Sequence, residues 1–378
     1  MVLIINLYTG EKGLITSVKK LFLVNYAPPT SSIYKYTGEI LSCTEDYAEQ
    51  LNLLYSNRSK RWELPTRGKS FKSPIKRVLY ANILLSRLLF RKARKYILAS
   101  SGEERVIHYT HQTISPFNLD LERSVVTIHD NPYTALKYGI YNKPNNRITD
   151  KMRFRLYSSS IHYTLSQYKK FKHVITTSDY VKNSLIKYGF RNEITTIHPQ
   201  VGPHFHPIKD KEKLREELGL PKDRKLLLSV ASDQPRKNLN MVERLMNELD
   251  QSYHLVRVGK PILDSSSFSN VDPQTINKIY NACDVLIMPS LEEGYGYPVP
   301  EAMTVGLPVV CSDIEVFHEL CGDSGIYFNP LSVEDFRDAV KISIENYNVY
   351  SNKVIERSAI FSYTRFCREI NNYYKQRF

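Results

Sequence analysis

The chain has 378 residues, of which 42% are hydrophobic and 24% are charged. This length and composition favour a soluble globular protein of two or three domains, and they exclude a chain too polar to bury a core. The opening apolar run, residues 1–6, is too short for a signal peptide or a membrane span. No later apolar run is long enough to change that expectation.

The formal net charge of +13 is concentrated in one segment. Residues 58–95 hold thirteen lysines and arginines against one acid, Glu63. Within this segment, helical spacing over residues 75–98 predicts a helix with basic residues along one side and apolar residues along another. The basic side is either a solvated face over a core stripe or a contact for an anionic membrane surface or acidic acceptor. Nucleic acid is the third candidate for what this basic side contacts.

Five cysteines occur in the chain, and none of them forms a Cys-x-x-Cys pair. They are Cys43, Cys283, Cys311, Cys321 and Cys367. At least two lie in predicted buried elements, so we expect reduced core residues. A reducing, cytosolic compartment follows from that expectation.

Short apolar runs alternate with helical patterns through the first half of the chain, which predicts a parallel sheet. The predicted strands are 2–7, 106–109, 125–129, 174–177 and 194–197. Residues 26–72 carry no clear period, so strand, helix and long loops all stay open there.

Three prolines and a glycine make residues 199–207 the best candidate for a linker. The alternation restarts beyond it and predicts a second parallel sheet. Its predicted strands are 225–231, 254–259, 284–288, 309–311 and 325–328. The helices predicted in this half are 210–218, 239–249, 273–283, 333–346 and 364–377.

The stretch 288–306 places two carboxylates, Glu293 and Glu301, on either side of a bend rich in glycine and proline. A predicted strand enters it, and a helix beginning at Pro298 or Pro300 leaves it and ends at Gly306. Residues 292–297 are therefore a loop at the carboxyl end of a parallel strand, beside a helix N-terminus. Open α/β sheets bind ligands there, and the helix N-terminus favours a phosphate.

The segment Glu293-Gly-Tyr-Gly-Tyr-Pro298, with Glu301 eight residues after Glu293, resembles the signature of retaining glycosyltransferases of family four, also called glycosyltransferase group 1. The resemblance implies the GT-B fold, in which two Rossmann-like α/β domains with parallel sheets face each other across a cleft. It implies an acceptor-binding domain over residues 1–200 and a nucleotide-sugar-binding domain over 201–360. Residues 361–378 are then a helix that crosses back to the first domain.

The resemblance also assigns the donor-binding residues. The turn Arg236-Lys237-Asn238 is similar to the one that binds the donor diphosphate in this family, and two cations suit two phosphates. Asn238 can also cap the helix that follows. Glu301 would hold the ribose hydroxyls, and Glu293 would act at the transferred sugar. Backbone amides of the donor-binding loop would line the sugar and phosphates. The loop residues concerned are Gly294, Tyr295 and Gly296.

In the first half, the strand that ends in His129-Asp130 resembles the family strand that carries an active-site histidine, so His129 is the candidate catalytic residue beside Glu293. A lone histidine at a strand end is more often structural. Gly10 and Gly13 occupy the position of the family's glycine-rich N-terminal loop. Ser178 lies in a turn similar to one that lines the cleft, although an N-cap explains it fully.

No Asp-x-Asp pair stands at a predicted strand end, so no metal site is predicted. Arg236, Lys237 and a helix dipole would neutralise the diphosphate instead. The resemblance implies no cofactor, only a nucleotide-diphosphate sugar as co-substrate.

The sequence therefore predicts a metal-independent retaining glycosyltransferase whose acceptor is a glycan, a lipid-linked molecule or a small molecule. The expected location is the cytoplasm, with peripheral membrane contact through 75–98 left open. A nucleotide-sugar epimerase or a phosphorylase of the same architecture is the alternative among enzymes. A nucleic-acid-binding protein that uses residues 58–95 is the alternative from another class.

Overall fold

The computed structural model describes residues 20–25, 32–52, 105–110, 121–131, 134, 137, 158–159, 162–163 and 165–378. The predicted strand 2–7, the glycines Gly10 and Gly13 and the basic helix 75–98 lie outside these residues. Tertiary contacts divide the described chain into two units. Unit 1 contains the described residues up to 199 together with 366–378, and unit 2 contains residues 200–365.

Unit 1 is built on a six-stranded sheet whose neighbouring strands are all parallel. Its strands are β1 (Lys20–Asn25), β2 (Ala48–Asn52), β3 (Arg105–Tyr109), β4 (Ser124–Ile128), β5 (His173–Thr176) and β6 (Glu193–Thr196). Helix α1 (Ser32–Cys43) joins β1 to β2, and helix α2 (Asp179–Lys187) joins β5 to β6. The spatial order is β2-β1-β3-β4-β5-β6. The predicted parallel sheet is confirmed.

Both faces of this sheet are buried, which explains why its central strands are continuous apolar runs. Along β1, Leu21 and Leu23 belong to one core cluster and Phe22 and Val24 to the other, because successive side chains point to opposite faces. The sequence analysis did not predict β1 or β2. The run 21–24 offered a usable signal, whereas β2 has only Ala48 and Leu51 as apolar residues.

Unit 2 also contains a six-stranded parallel sheet. Its strands are β7 (Lys225–Val230), β8 (Tyr253–Val258), β9 (Ser266–Phe268), β10 (Val285–Met288), β11 (Val309–Ser312) and β12 (Ile326–Phe328). The order β9-β8-β7-β10-β11-β12 is that of the doubly wound dinucleotide-binding fold. The topological switch point therefore lies between β7 and β10.

Seven helices of unit 2 are described. They are α3 (Lys211–Glu217), α4 (Leu239–Glu248), α5 (Pro273–Ala282), α6 (Pro298–Val305), α7 (Glu315–Cys321), α8 (Val333–Glu345) and α9 (Tyr347–Ser358). The sequence analysis missed β9, α7 and α9. Helix α9 buries only Val354, so its sequence has almost no apolar stripe to reveal it.

The last helix, α10 (Tyr363–Arg377), packs into unit 1 from Phe366 onward. Its buried residues recur at helical spacing, and they join the core cluster that also contains Leu21 and Leu23. These residues are Phe366, Ile370, Tyr373 and Tyr374. Unit 1 thus completes one face of its sheet with residues that follow unit 2 in the sequence.

Cys43 at the end of α1 and Cys367 in α10 form a disulfide, with Cα atoms 4.9 Å apart. Beside it, the Asn371 side-chain amide donates to the Cys43 carbonyl at 2.8 Å. The expectation of five reduced cysteines is therefore wrong for this pair. The two cysteines are 324 positions apart, and their spacing in the sequence does not indicate that they meet in the fold. Cys283, Cys311 and Cys321 are free and buried, as predicted. A reducing compartment no longer follows from the cysteines.

Alkylation of the denatured, unreduced protein should modify the three free cysteines and leave Cys43 and Cys367 unmodified. Peptide mapping by mass spectrometry should then recover one cross-linked pair of peptides that contain these two residues. Reduction before alkylation is the control, and it should make all five cysteines reactive. Modification of Cys43 without reduction would contradict the pairing.

Candidate functional site

The carboxyl ends of β7 and β10 adjoin at the switch point, because these two strands pair directly. The loops that follow them are joined as well, since the Leu291 amide donates to the Arg236 carbonyl at 2.8 Å. The predicted diphosphate-binding turn and the predicted sugar-binding loop therefore meet at one edge of the sheet. Open α/β sheets bind their ligands at this edge.

The Glu293 carboxylate is the centre of a buried ion cluster. Lys237 Nζ donates to Glu293 Oε1 at 2.5 Å, and the Arg236 guanidinium donates to Glu293 Oε2. The Ser290 hydroxyl adds a bond of 2.8 Å to Oε1, and Arg236 also donates to the Glu292 carbonyl at 3.1 Å. The side chains of Glu293, Arg236 and Lys237 are only 3%, 14% and 12% exposed. Water therefore screens these charges weakly.

Burial alone would raise the pKa of Glu293, because a buried carboxylate loses its hydration. The charges of Lys237 and Arg236, with hydrogen bonds from Lys237 and Ser290, act in the opposite direction and hold the pKa below its usual 4.5. Glu293 is consequently ionised at neutral pH. The cluster of one carboxylate and two cations keeps one net positive charge for an anionic ligand.

The stability difference between the wild type and Glu293→Gln should be constant near neutral pH and shrink in acid. A carboxyl with a depressed folded pKa contributes stability that is present above its unfolded pKa, the usual 4.5. That stability is lost as pH falls through the folded pKa. Urea unfolding of both proteins from about pH 7 to about pH 3 measures the difference. A difference that grows in acid would contradict the assigned charge state.

From the sequence, Glu293 is predicted to act at the sugar and the two cations at the diphosphate, as separate roles. The structure places Arg236 and Lys237 in direct contact with Glu293. A ligand phosphate would therefore share both cations with this carboxylate. The roles themselves stay predictions.

The loop after Glu293 is held close to α7. Gly296 has φ of +83°, and a Cβ atom there would lie 2.9 Å from the Phe317 ring, so only glycine fits without strain. Tyr295 is buried and packs edge-on against Tyr297, with ring centroids 5.2 Å apart. Gly294 is buried too. The predicted helix follows as α6, which begins at Pro298.

Glu301 lies in the first turn of α6, and its Oε2 accepts a hydrogen bond of 2.8 Å from the Tyr280 hydroxyl. Tyr280 belongs to α5 and is 0% exposed. Tyr280 is not among the functional residues predicted from the sequence. In the sequence, Tyr280 is one apolar position of a predicted helix. Its distance along the chain from Glu301 does not indicate that its hydroxyl contacts that residue.

Arg257 is a second residue that the sequence analysis missed. Its fully buried guanidinium donates to the Ser229 hydroxyl at 2.8 Å and to the Ala231 carbonyl at 3.1 Å. Gly259 follows with φ of +147°, and a Cβ atom there would lie 2.6 Å from the Ala231 oxygen. Arg257 and Gly259 thus fix the loops after β7 and β8 against each other.

Two predicted helix caps have different outcomes. Ser178 caps α2 as predicted, because its hydroxyl accepts from the Val181 amide at 3.2 Å. Asn238 does not cap α4 with its side chain, and that prediction is wrong. Asn238 instead adopts a left-handed φ of 53° and donates its side-chain amide to the Pro330 carbonyl at 3.0 Å. Asparagine tolerates this conformation better than most residues.

His129 follows β4 in unit 1 and is buried. Its Nε2 donates to the Thr110 carbonyl at 2.8 Å, so Nε2 carries the proton of the neutral ring and Nδ1 is the acceptor nitrogen. Tyr36 packs edge-on at 4.8 Å between ring centroids. Burial lowers the pKa of His129, against opposing effects of the Thr110 carbonyl and Asp130. The ring is therefore neutral at neutral pH.

The described residues hold the predicted donor-binding side chains in unit 2 and His129 in unit 1. Gly10 and Gly13 fall outside them. Within the described part of the chain, no group of three or more His, Cys, Asp or Glu side chains is arranged to hold a metal ion. None of the described helices is long and apolar enough to cross a membrane.

Residues 210–359 match the family described as glycosyl transferases group 1. The O-antigen chain mannosyltransferase RfbU of Salmonella typhimurium is 29% identical over an alignment of 265 positions, which covers 65% of this chain and 66% of RfbU. The chain thus spans just under two thirds of the length of that relative.

Two solved structures share the fold. Sucrose-phosphate synthase of Thermosynechococcus elongatus superposes with a TM-score of 0.70 at 17% identity, over 95% of this chain and 98% of that one. Anabaena HepE, solved with UDP-glucose, gives 0.68 at 16% identity, over 94% and 98%. At these identities the likeness is one of fold. The match over residues 210–359 shows that this part of the chain, most of unit 2, is a region of the glycosyl transferases group 1 family.

Proposed function

We propose that the chain is a retaining glycosyltransferase, which moves a sugar from a nucleotide-diphosphate sugar to an acceptor hydroxyl. The observation that carries the proposal is the buried cluster of Glu293, Arg236 and Lys237 at the switch point of unit 2. This cluster lies inside the residues that match the group 1 family. It combines cations for a diphosphate with a carboxylate that can accept hydrogen bonds from sugar hydroxyls.

Sugar transfer requires the charge that develops on the departing nucleotide diphosphate to be stabilised. Arg236 can grip phosphate oxygens with two donors, and Lys237 adds a compact charge. Both side chains are already oriented by Glu293, so little reorganisation accompanies the reaction. The N-terminus of α6 contributes the positive end of its dipole. Its first turn contributes few backbone donors, because Pro298 and Pro300 have no N–H and the Val299 amide donates to the Gly296 carbonyl.

Retention is the stereochemical part of the proposal. In this scheme a donor phosphate oxygen takes the acceptor proton on the face from which the nucleotide leaves, and Glu293 acts at the sugar. His129 is the proposed catalytic residue of unit 1, as a neutral imidazole. The anomeric configuration of the purified product, read by NMR, tests this part, and an inverted product would overturn it.

The transfer is proposed to need no metal and no cofactor besides the nucleotide sugar. Arg236 and Lys237 supply the positive charge that a divalent ion would otherwise bring. Turnover should therefore survive EDTA. Loss of turnover in EDTA that returns on adding Mg²⁺ or Mn²⁺ would overturn this part.

The donor can be identified with a panel of UDP, GDP, ADP and dTDP sugars. Mannose donors and UDP-glucose come first, because RfbU is named a mannosyltransferase and HepE was solved with UDP-glucose. We expect one nucleotide sugar to raise the melting temperature and to be hydrolysed slowly without acceptor. A folded protein that neither binds nor hydrolyses any member would contradict the proposed function.

The acceptor is proposed to be a glycan or a lipid-linked molecule, since the relative is named for the O-antigen chain. A cytoplasmic location with peripheral membrane contact through residues 75–98 goes with a lipid-linked acceptor. Flotation with vesicles of anionic and of neutral lipid tests the contact. Equal flotation with both would contradict a role for the basic segment.

A further inference from the structure

The contact between Tyr280 and Glu301 joins two neighbouring helices of unit 2 at the ligand-binding edge of the sheet. The Tyr280 hydroxyl and Glu301 Oε2 are 2.8 Å apart. Tyr280 is 0% exposed, whereas Glu301 is half-buried. A hydroxyl from inside the protein therefore supports a carboxylate at its surface.

The Tyr280 ring is also packed against a neighbouring aromatic ring inside unit 2. Phe205 packs edge-on against it, with centroids 5.3 Å apart. The chain after Phe205 is bound to α5 by two asparagines of that helix. Asn277 accepts from the His206 amide at 3.2 Å, and Asn281 accepts from the Ile208 amide at 2.7 Å. The position of the hydroxyl is therefore set by packing and by backbone hydrogen bonds, independently of Glu301.

The direction of the hydrogen bond is fixed too. Burial, and then the negative charge of Glu301, raise the pKa of Tyr280 well above its usual 10.0. Tyr280 therefore keeps its proton and always donates. A carboxylate has about four acceptor positions, and the hydrogen bond from Tyr280 orients the group while it occupies only one of them.

We propose that Tyr280 is a positioning residue, which orients the Glu301 carboxylate so that it accepts hydrogen bonds from the ribose hydroxyls of the donor nucleotide. This inference rests on the proposed function, which places the nucleotide ribose at Glu301. Vicinal 2′ and 3′ hydroxyls are paired donors that match the oxygens of one oriented carboxylate. The pair Tyr280 and Glu301 thereby makes the site select ribonucleotides over 2′-deoxyribonucleotides.

The test compares binding of a nucleoside diphosphate and its 2′-deoxy analogue, UDP with dUDP and GDP with dGDP, by isothermal titration calorimetry. Wild type should prefer the ribonucleotide. Tyr280→Phe removes only the hydroxyl, so we expect about 10-fold weaker binding of the ribonucleotide, in the range measured for hydrogen bonds to charged groups. Binding of the deoxynucleotide should change less, so the preference should fall towards one. Tyr253→Phe is the matched control, another buried tyrosine of unit 2.

A double-mutant cycle with Glu301→Gln separates positioning from a merely structural role. If Tyr280 acts through Glu301, adding Tyr280→Phe to Glu301→Gln should cost little further ribonucleotide affinity. A fully additive loss, or an unchanged preference in a Tyr280→Phe variant of lower melting temperature, would overturn the proposal. If Tyr280→Phe alone is unstable, Glu301→Gln still tests the proposal. Glu301→Gln by itself must reduce the preference for the ribonucleotide over the deoxynucleotide, and an unchanged preference would overturn the proposal.

The binding measurements distinguish failure of the positioning role from failure of the proposed function. If wild type binds no nucleoside diphosphate, the proposed function fails, and the positioning role fails with it. If wild type binds with a preference that Tyr280→Phe leaves intact, only the positioning role fails.

Discussion

Lys237→Met should lower the kcat of sugar transfer by at least about 100-fold, in the range seen when one preorganised electrostatic donor is removed from an active site. Lys237 Nζ lies 2.5 Å from Glu293 Oε1, inside a cluster that excludes most water. Methionine keeps much of the length of the side chain and removes its charge. Glu293 retains the Arg236 and Ser290 contacts, so the loop should keep its conformation. Initial rates with the responding nucleotide sugar measure the effect.

Lys222→Met is the matched control for this result. Lys222 also pairs with a glutamate, Glu216, at 2.7 Å, but both side chains are more than half exposed. Its substitution should leave kcat unchanged. Full turnover by a folded Lys237→Met protein would remove the central assignment of the proposed function.

Asp284→Ala should lower the free energy of unfolding of unit 2 by about 3 kcal/mol, the lower end of the cost of removing one partner from a buried ion pair, because Asp284 is partly buried. Asp284 precedes β10, at the opposite end of the strand from Glu293. Its carboxylate accepts from Arg215 Nη2 at 2.7 Å, from Lys211 Nζ at 3.0 Å and from the Leu226 amide at 2.7 Å. Truncation would leave the buried Arg215 without its carboxylate partner.

Urea unfolding measures this loss, and Glu216→Ala is the matched control. The exposed pair of Glu216 with Lys222 should contribute only about 0–1 kcal/mol. The kcat of folded Asp284→Ala should match that of the wild type, because the change lies away from the carboxyl edge of the sheet. A loss of stability no larger than that of the control would show that the buried pair contributes no more than a surface pair.

Much of unit 2 could be predicted from sequence because its signals are local. The strands β7, β8, β10 and β11 are apolar runs buried on both faces, and such runs need no partner to be recognised. Helix α6 carries its own start and stop, Pro298 and Gly306, whose φ of +79° suits glycine. Strand β2 has no such signal, and it forms because β1 pairs with it.

The candidate site was predictable to the same degree. Arg236, Lys237, Glu293 and Glu301 lie in short motifs, and the structure brings the first three into contact. The contact of Tyr280 with Glu301 joins residues 21 positions apart, through a side-chain direction that periodicity does not encode. The same holds for the disulfide of Cys43 with Cys367. Contacts between side chains that are far apart in the sequence could not be predicted, because they depend on how the chain folds.

The packing of α10 into unit 1 has a consequence for synthesis on the ribosome. Phe366, Ile370, Tyr373 and Tyr374 belong to the same core cluster as Leu21 and Leu23, which emerge much earlier. All of unit 2 from residue 200 to residue 365 must be translated between these two groups. Domains generally fold as they emerge. Helix α1 covers part of this face with Tyr36 and Ile40, but the rest must wait for α10. Unit 2, although translated second, can therefore be the first to reach its native state.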